Sequence, residues 1–211
     1  MSETILVTGA SAGFGQAICR RLVADGYRVI GSARRIDKLQ ALQEELGEAF
    51  YPLQMDVTDL SQVDHALASL PKDWEKVDVL VNNAGLALGL APAYEAEVAD
   101  WLTMIQTNIV GLTYLTRKIL PQMVERNDGY IINLGSTAGT VPYPGANVYG
   151  ASKAFVKQFS LNLRADLAGK KIRVSNIEPG LCEGTEFSSV RFKGDEKRVE
   201  ALYRDAHAIQ P

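Results

Sequence analysis

Tyr149 and Lys153 stand four residues apart in the run Tyr-Gly-Ala-Ser-Lys. On a helix that spacing puts both on one face. An ammonium beside a phenol favours the phenolate and lowers the tyrosine pKa from its usual value of about 10. Tyr149 could then exchange a proton with a substrate oxygen near neutral pH. The spacing recurs by chance on many helices, so its weight comes from its companions. Ser136 follows a β-like run, where its hydroxyl could bond the same oxygen. Asn108 interrupts an apolar helical row of Trp101, Ile105, Leu112 and Leu115. A buried amide needs partners. Either neighbouring backbone satisfies Asn108, or the amide holds a water in a proton relay.

A second group of residues suits an anion. Thr8 to Gly15 reads Thr-Gly-Ala-Ser-Ala-Gly-Phe-Gly, with glycines at 9, 13 and 15. Glycines let an anion approach the backbone, and a following helix offers free N–H groups and the positive end of its dipole. A pyrophosphate fits such a loop. The spacing differs from the G-x-G-x-x-G dinucleotide fingerprint, and a tight strand-to-helix turn would also need glycine. The position after the first strand favours a cofactor. A site for NAD places Asp or Glu about 20 residues further on, against the ribose hydroxyls. Gly31-Ser32-Ala33 offers no carboxylate, and Arg34-Arg35 follows. Guanidinium matches phosphate in charge and geometry, so the expected cofactor is NADP(H).

The elements that must position these groups alternate. Short apolar runs at Thr4–Thr8, Tyr27–Ala33, Phe50–Val57, Val77–Val81, Tyr130–Leu134 and Ile172–Ile177 read as strands. Helical patterns lie at Gln16–Ala24, Ile36–Leu46, Asp59–Leu70, Val98–Arg126, Val148–Leu167 and Glu196–Ala208. Buried strands separated by helices imply parallel pairing, so the expected fold is α/β, a Rossmann-type doubly wound parallel sheet. Ligands bind such sheets beyond the carboxyl ends of the strands. The glycine loop, Arg34-Arg35, Asp56-Val57, Asn82-Asn83-Ala84-Gly85, Ser136 and Pro179-Gly180 all lie there. No repeat or linker divides the chain, so residues 1–211 read as a single domain.

Composition excludes other classes. The chain is 46% apolar and 22% charged, which argues against disorder. A net charge of −3 argues against nucleic acid as a partner. No apolar run reaches membrane-spanning length, and Met1-Ser2-Glu3 leads straight into a strand with no secretory pattern. Cys19 and Cys182 are too few for a disulfide framework, and a reducing, cytoplasmic setting is expected. His65 and His207 have no partners at metal-ligand spacing, so no metal is expected.

Taken together, TGxxxGxG (8–15), NNAG (82–85), Asn108, Ser136, YxxxK (149–153) and PG (179–180) resemble the classical short-chain dehydrogenase/reductase family over essentially the whole chain. Segments 80–89, 132–139, 147–167 and 177–195 are similar to its NADP-dependent 3-hydroxy acid dehydrogenases, which act on serine, allo-threonine and malonic semialdehyde. The resemblance implies that Tyr149 is the general acid/base, that Ser136 orients the substrate oxygen and that Lys153 binds the nicotinamide ribose while lowering the tyrosine pKa. Asn108 would hold the relay water. Gly9, Ser11, Gly13, Phe14 and Gly15 would line the phosphates and ribose, Asp56 and Val57 the adenine, Asn83, Ala84 and Gly85 the central ribose, and Pro179 and Gly180 the nicotinamide. The substrate segment would be about 181–211, and Arg191 within it is a candidate partner for a substrate carboxylate. The implied activity is hydride transfer between NADP(H) and a 3-hydroxy or 3-oxo acid. A 3-oxoacyl or other carbonyl substrate, or an NADP(H)-binding sensor without chemistry, are the alternatives. The resemblance also implies a homodimer or homotetramer through the helices around Val98–Arg126 and Val148–Leu167. A further helix and a seventh strand are expected beyond Pro211.

Overall fold

The computed structural model describes residues 2–204, 208 and 209. Thr4–Thr8 forms strand β1, with all five residues buried. Such a strand needs apolar side chains on both faces, which is why its sequence does not alternate. Then come α1 (Gly13–Ala24), β2 (Arg28–Ala33), α2 (Ile36–Leu46), β3 (Phe50–Gln54), α3 (Leu60–Ala68), β4 (Val79–Asn82), α4 (Val98–Ile105) and α5 (Leu112–Arg126). β5 (Gly129–Leu134), α6 (Asn147–Asp166), β6 (Ile172–Ile177), α7 (Phe187–Arg191) and α8 (Glu196–Tyr203) complete the order. The strands make one six-stranded sheet in the order β3-β2-β1-β4-β5-β6, and every pair is parallel. β1 lies between β2 and β4, with Val7 opposite Gly31 and Val81. The winding direction reverses there, and the reversal opens a crevice at the carboxyl ends.

Alternate residues of the strands feed two cores. Leu6, Ile30, Leu80 and Ile131 pack with Val63 of α3, Leu115 and Met123 of α5 and Leu163 of α6. Ile5, Val7, Val29 and Val81 pack on the other face with Cys19 of α1 and Leu39 and Leu42 of α2. A buried polar chain crosses the first core. Asn82 donates to Thr116 Oγ1 and to Asn133 Oδ1, both at 2.9 Å. Asn133 donates in turn to Ser160 Oγ at 2.9 Å. It ties β4 and β5 to α5 and α6, the elements that carry Asn82–Gly85, Ser136 and Tyr149. Among the described residues, no helix is long and apolar enough to cross a membrane.

The departures from the sequence expectation have local causes. α1 begins at Gly13, inside the glycine loop. The third strand stops at Gln54 rather than Val57, because Asp56 turns the chain by accepting the N–H and hydroxyl of Thr58 at 2.9 and 2.7 Å. Asp59 caps α3 through the N–H of Gln62, so the helix itself starts at Leu60. The helix expected over Val98–Arg126 is interrupted by a π-helical stretch, Gln106–Gly111, that contains Asn108. α7 has no counterpart in the sequence pattern, being too short to show one. The last helix ends at Tyr203, and residues 205–207 of the expected helix, His207 included, lie outside the described residues.

Asn133→Leu tests the polar chain. It leaves one Asn82 Nδ2 hydrogen without an acceptor in a dry core, while Asn82 keeps Thr116 and Ser160 keeps the Val156 carbonyl, and is expected to cost roughly 1–3 kcal/mol in urea unfolding.

Candidate active site

A cavity of about 640 Å³ opens at the carboxyl ends of the strands. By strand order it extends from Arg34 and Asp56, past the glycine loop and Gly85, to Ser136, Tyr149 and Arg191. Gly9, Ser11, Gly13, Phe14, Gly15, Arg34, Arg35, Asp56, Val57, Asn83, Ala84, Gly85, Ser136, Tyr149, Lys153, Pro179, Gly180 and Arg191 all line it. Asn108 lies behind its wall.

The glycine loop requires its glycines. Gly9 has φ +69°, and a Cβ there would lie 2.9 Å from Asn83 Nδ2. A Cβ on Gly15 would overlap the Gly9 carbonyl. No side chain caps the start of α1, and no acidic residue occupies its first turn. Its leading N–H groups and positive dipole end therefore meet the cavity with no side-chain acceptor among the described residues. Asn83 supports the loop from behind, its amide donating to the Thr8 carbonyl at 2.7 Å. Thr8 is a site-building residue that the motif contained but did not explain. Its hydroxyl accepts the N–H groups of Asn83 and Ala84 at 3.0 and 2.9 Å.

The end of β2 suits a second anion. Arg34 and Arg35 are exposed on the cavity rim. Nearby, Ser32 Oγ is buried without a hydrogen-bond partner among the described residues. The uncapped helix start, the space kept by the glycines, the orphan hydroxyl and the two guanidiniums match a dinucleotide carrying an extra phosphate.

At the opposite end, Tyr149 and Lys153 are buried on one face of α6, 8% and 7% exposed. Lys153 Nζ donates to the Leu134 carbonyl at 2.8 Å and lies 5.9 Å from the Tyr149 ring centre. The tyrosine pKa is not lowered as the sequence suggested. Burial raises it, opposed by the bonded Ser136 hydroxyl and the Arg191 guanidinium, with Tyr143 and Cys182 adding to the rise. Burial also lowers the Lys153 ammonium to about 8.

Asn108 is satisfied within the protein. Its Oδ1 accepts the Leu86 N–H at 2.9 Å, and its Nδ2 donates to the Leu86 carbonyl at 2.9 Å and to Ser152 Oγ at 3.0 Å. The side-chain amide thus pins the strand end after Gly85.

Arg191 is no solvated loop arginine. It ends α7 and is 6% exposed. Its Nε donates to the Gly89 carbonyl at 3.1 Å and its Nη2 to the Tyr143 hydroxyl at 3.0 Å. The guanidinium lies 5.5 and 5.6 Å from the ring centres of Tyr143 and Tyr149. None of the ion pairs among the described residues includes it. Tyr143 escaped notice because a tyrosine between two prolines matches no periodic pattern.

The buried lysine predicts a pH dependence. Its folded pKa, about 8, lies below the usual unfolded value of about 10.4. Between the two the unfolded chain binds more protons, so stability attributable to Lys153 rises with pH across that window. Wild type should gain on the order of 2 kcal/mol over Lys153→Met between about pH 8 and pH 10, read by denaturant unfolding of both; parallel curves would refute it.

The short chain dehydrogenase family model matches residues 3–196. The chain is 58% identical over 207 residues to the NADP-dependent 3-hydroxy acid dehydrogenase YdfG of Escherichia coli (strain K12), covering 98% of this chain and 84% of that protein. It is 51% identical over 209 residues to serine 3-dehydrogenase of Agrobacterium fabrum (strain C58), covering 99% and 83%. A solved closed form of serine dehydrogenase complexed with NADP+ matches with a TM-score of 0.96 at 58% identity, over 98% of this chain and 83% of that one. With the glycine loop, the buried Tyr149–Lys153 pair and the family match all on one cleft, the chain belongs to the short-chain dehydrogenase family.

Proposed function

We propose that this chain is an NADP(H)-dependent oxidoreductase that interconverts 3-hydroxy acids and their 3-oxo counterparts, of the serine, allo-threonine and 3-hydroxypropionate class. The observation that carries the substrate class is Arg191. A guanidinium this buried, outside every ion pair among the described residues, is costly unless an anion completes it. It lies 5.6 Å from the Tyr149 ring centre, and a 3-hydroxy acid places its carboxylate only two carbons from the reacting carbon. A 3-oxoacyl thioester or a neutral carbonyl compound offers Arg191 no carboxylate.

In this reading Gly9, Ser11, Gly13, Phe14 and Gly15 hold the cofactor phosphates and adjoining ribose, and Arg34 and Arg35 the 2′-phosphate. Asp56 and Val57 flank the adenine, Asn83, Ala84 and Gly85 the middle of the cleft, and Pro179 and Gly180 the nicotinamide. When bound, NADP(H) donates or accepts the hydride at the carbon bearing the substrate oxygen. Ser136 polarises that oxygen, and Arg191 fixes the far end of the acid. Tyr149 is kept protonated at neutral pH by its burial, so it can donate a proton during reduction; as phenolate it accepts one during oxidation. Lys153 holds the nicotinamide ribose, itself aimed by the Leu134 carbonyl. Asn108 acts as a positioning residue through Leu86 and Ser152. The free thiols of Cys19 and Cys182 support a reducing, cytoplasmic setting. Exposed Phe155 and Leu161 on α6 support a dimer or tetramer of this chain.

Two variants test the assignment. Arg191→Ala should raise KM for L-serine or 3-hydroxypropionate roughly 10- to 100-fold while sparing a neutral carbonyl substrate; an unchanged KM for the acids would sink it. Tyr149→Phe should lower kcat at least about 100-fold, and activity within tenfold of wild type refutes the mechanism. Because only the deprotonated phenol accepts a proton, wild-type oxidation should accelerate from about pH 7 to about pH 9. A flat profile, with chemistry limiting, speaks against Tyr149 as the base.

A further inference from the structure

Arg34 and Arg35 are not equivalent. Among the described residues the Arg34 side chain makes no hydrogen bond or ion pair. Arg35 is occupied: its Nε and Nη2 donate to Ser11 Oγ at 3.3 and 3.0 Å, and its Nη2 pairs with Glu186 Oε2 at 2.8 Å. Ser11 belongs to the glycine loop. Glu186 immediately precedes α7, whose last residue is Arg191. The same segment rides close over the loop, since a Cβ on Gly13 would lie 3.1 Å from Thr185 Cβ. One arginine therefore joins the cofactor loop to the segment that carries the substrate cation.

We propose that Glu186 sets the balance between NADP(H) and NAD(H), by holding Arg35 until a 2′-phosphate replaces it. This rests on the assignment of Arg34 and Arg35 to that phosphate. The two side chains of the pair are 44% and 51% exposed, so water and salt screen it and its net strength is small. A phosphate monoester brings nearly two charges and several strong acceptor oxygens, and a guanidinium binds it more firmly than a lone carboxylate. Carboxylate and phosphate cannot share the cation cheaply, because each repels the other. The phosphate therefore displaces Glu186. NAD(H) carries no such group and leaves the pair intact. Glu186 thus subtracts from the affinity for NADP(H) alone, and Arg34 remains the cation that meets the phosphate without a competitor.

The test is the dissociation constants of NADP+, NAD+ and 2′,5′-ADP, measured by calorimetry at one low ionic strength, for wild type, Glu186→Gln, Arg35→Ala and the double variant. Glu186→Gln should tighten NADP+ and 2′,5′-ADP about three- to tenfold and change NAD+ less than about twofold. Unchanged or weaker NADP+ binding overturns the proposal, and so does equal tightening of NAD+. In the Arg35→Ala background the Glu186→Gln effect should vanish; its persistence would reveal a general charge effect and overturn competition for Arg35. Arg35→Ala alone should weaken NADP+ but not NAD+. If it weakens neither, the phosphate assignment itself falls, an outcome distinct from a silent Glu186→Gln.

Discussion

The Thr8 hydroxyl accepts two main-chain N–H groups, from Asn83 and Ala84, while Asn83 returns its amide to the Thr8 carbonyl. These bonds join the carboxyl ends of β1 and β4, neighbours in the sheet whose connections leave in opposite directions. A parallel sheet opens there by topology alone, but an open crevice is not a rigid one. The Thr8–Asn83 knot closes the two loops against each other, and the glycine at 15 lets α1 come within touching distance of the Gly9 carbonyl. The cavity takes its floor from this arrangement. Asn108 extends it by one residue pair, fixing Leu86 through both of its main-chain groups. The π-helical stretch places Asn108 on that wall, and such local widenings of a helix recur at functional sites.

On that floor stand groups that a folding protein would not bury for stability. Among the described residues Lys153 has no carboxylate partner and donates to the Leu134 carbonyl, and burial lowers its pKa. Arg191 is buried against two tyrosine rings. Burial of isolated cations is unfavourable, and it is offset by the two apolar cores on either side of the sheet. The imbalance is concentrated at one end of the cleft.

How much of this the amino acids disclose depends on the kind of signal. Strand and helix order was legible because buried strands and amphipathic helices leave periodic patterns, and the six strands appear where the apolar runs are. The glycine loop, Ser136, Tyr149 and Lys153 were legible because their spacing is set by local geometry. Distances through space were not. Nothing near Arg191 announces that Gly89 and Tyr143 will receive it, 102 and 48 positions away. The Arg35–Glu186 pair spans 151 positions. The tyrosine pKa went the other way for the same reason. Helical spacing shows that a lysine is adjacent, but it cannot show that the ammonium turns to the Leu134 carbonyl or that burial outweighs the Ser136 bond and the Arg191 charge.

The two parts of the site are built differently. The part of the cleft lined by the glycine loop, Ser136, Tyr149 and Lys153 is built on strand ends and on α6, elements held by the sheet ladder and by the Asn82–Asn133–Ser160 chain. Among the described residues, the segment after Gly180, which lines the other end of the cleft, carries no strand of the sheet. It is held by separate contacts: Tyr203 donates to the Cys182 carbonyl and bonds Ser188, Lys193 pairs with Asp100 of α4, and Arg191 reaches Gly89. Such contacts can be exchanged without disturbing the sheet. The residues between Glu186 and Lys193 can therefore vary while the sheet and the strand-end loops stay in place. Function in such a fold resides in the segment grafted onto the sheet, and here that segment touches both ends of the cleft, through Glu186 at the cofactor rim and Arg191 beside Tyr149.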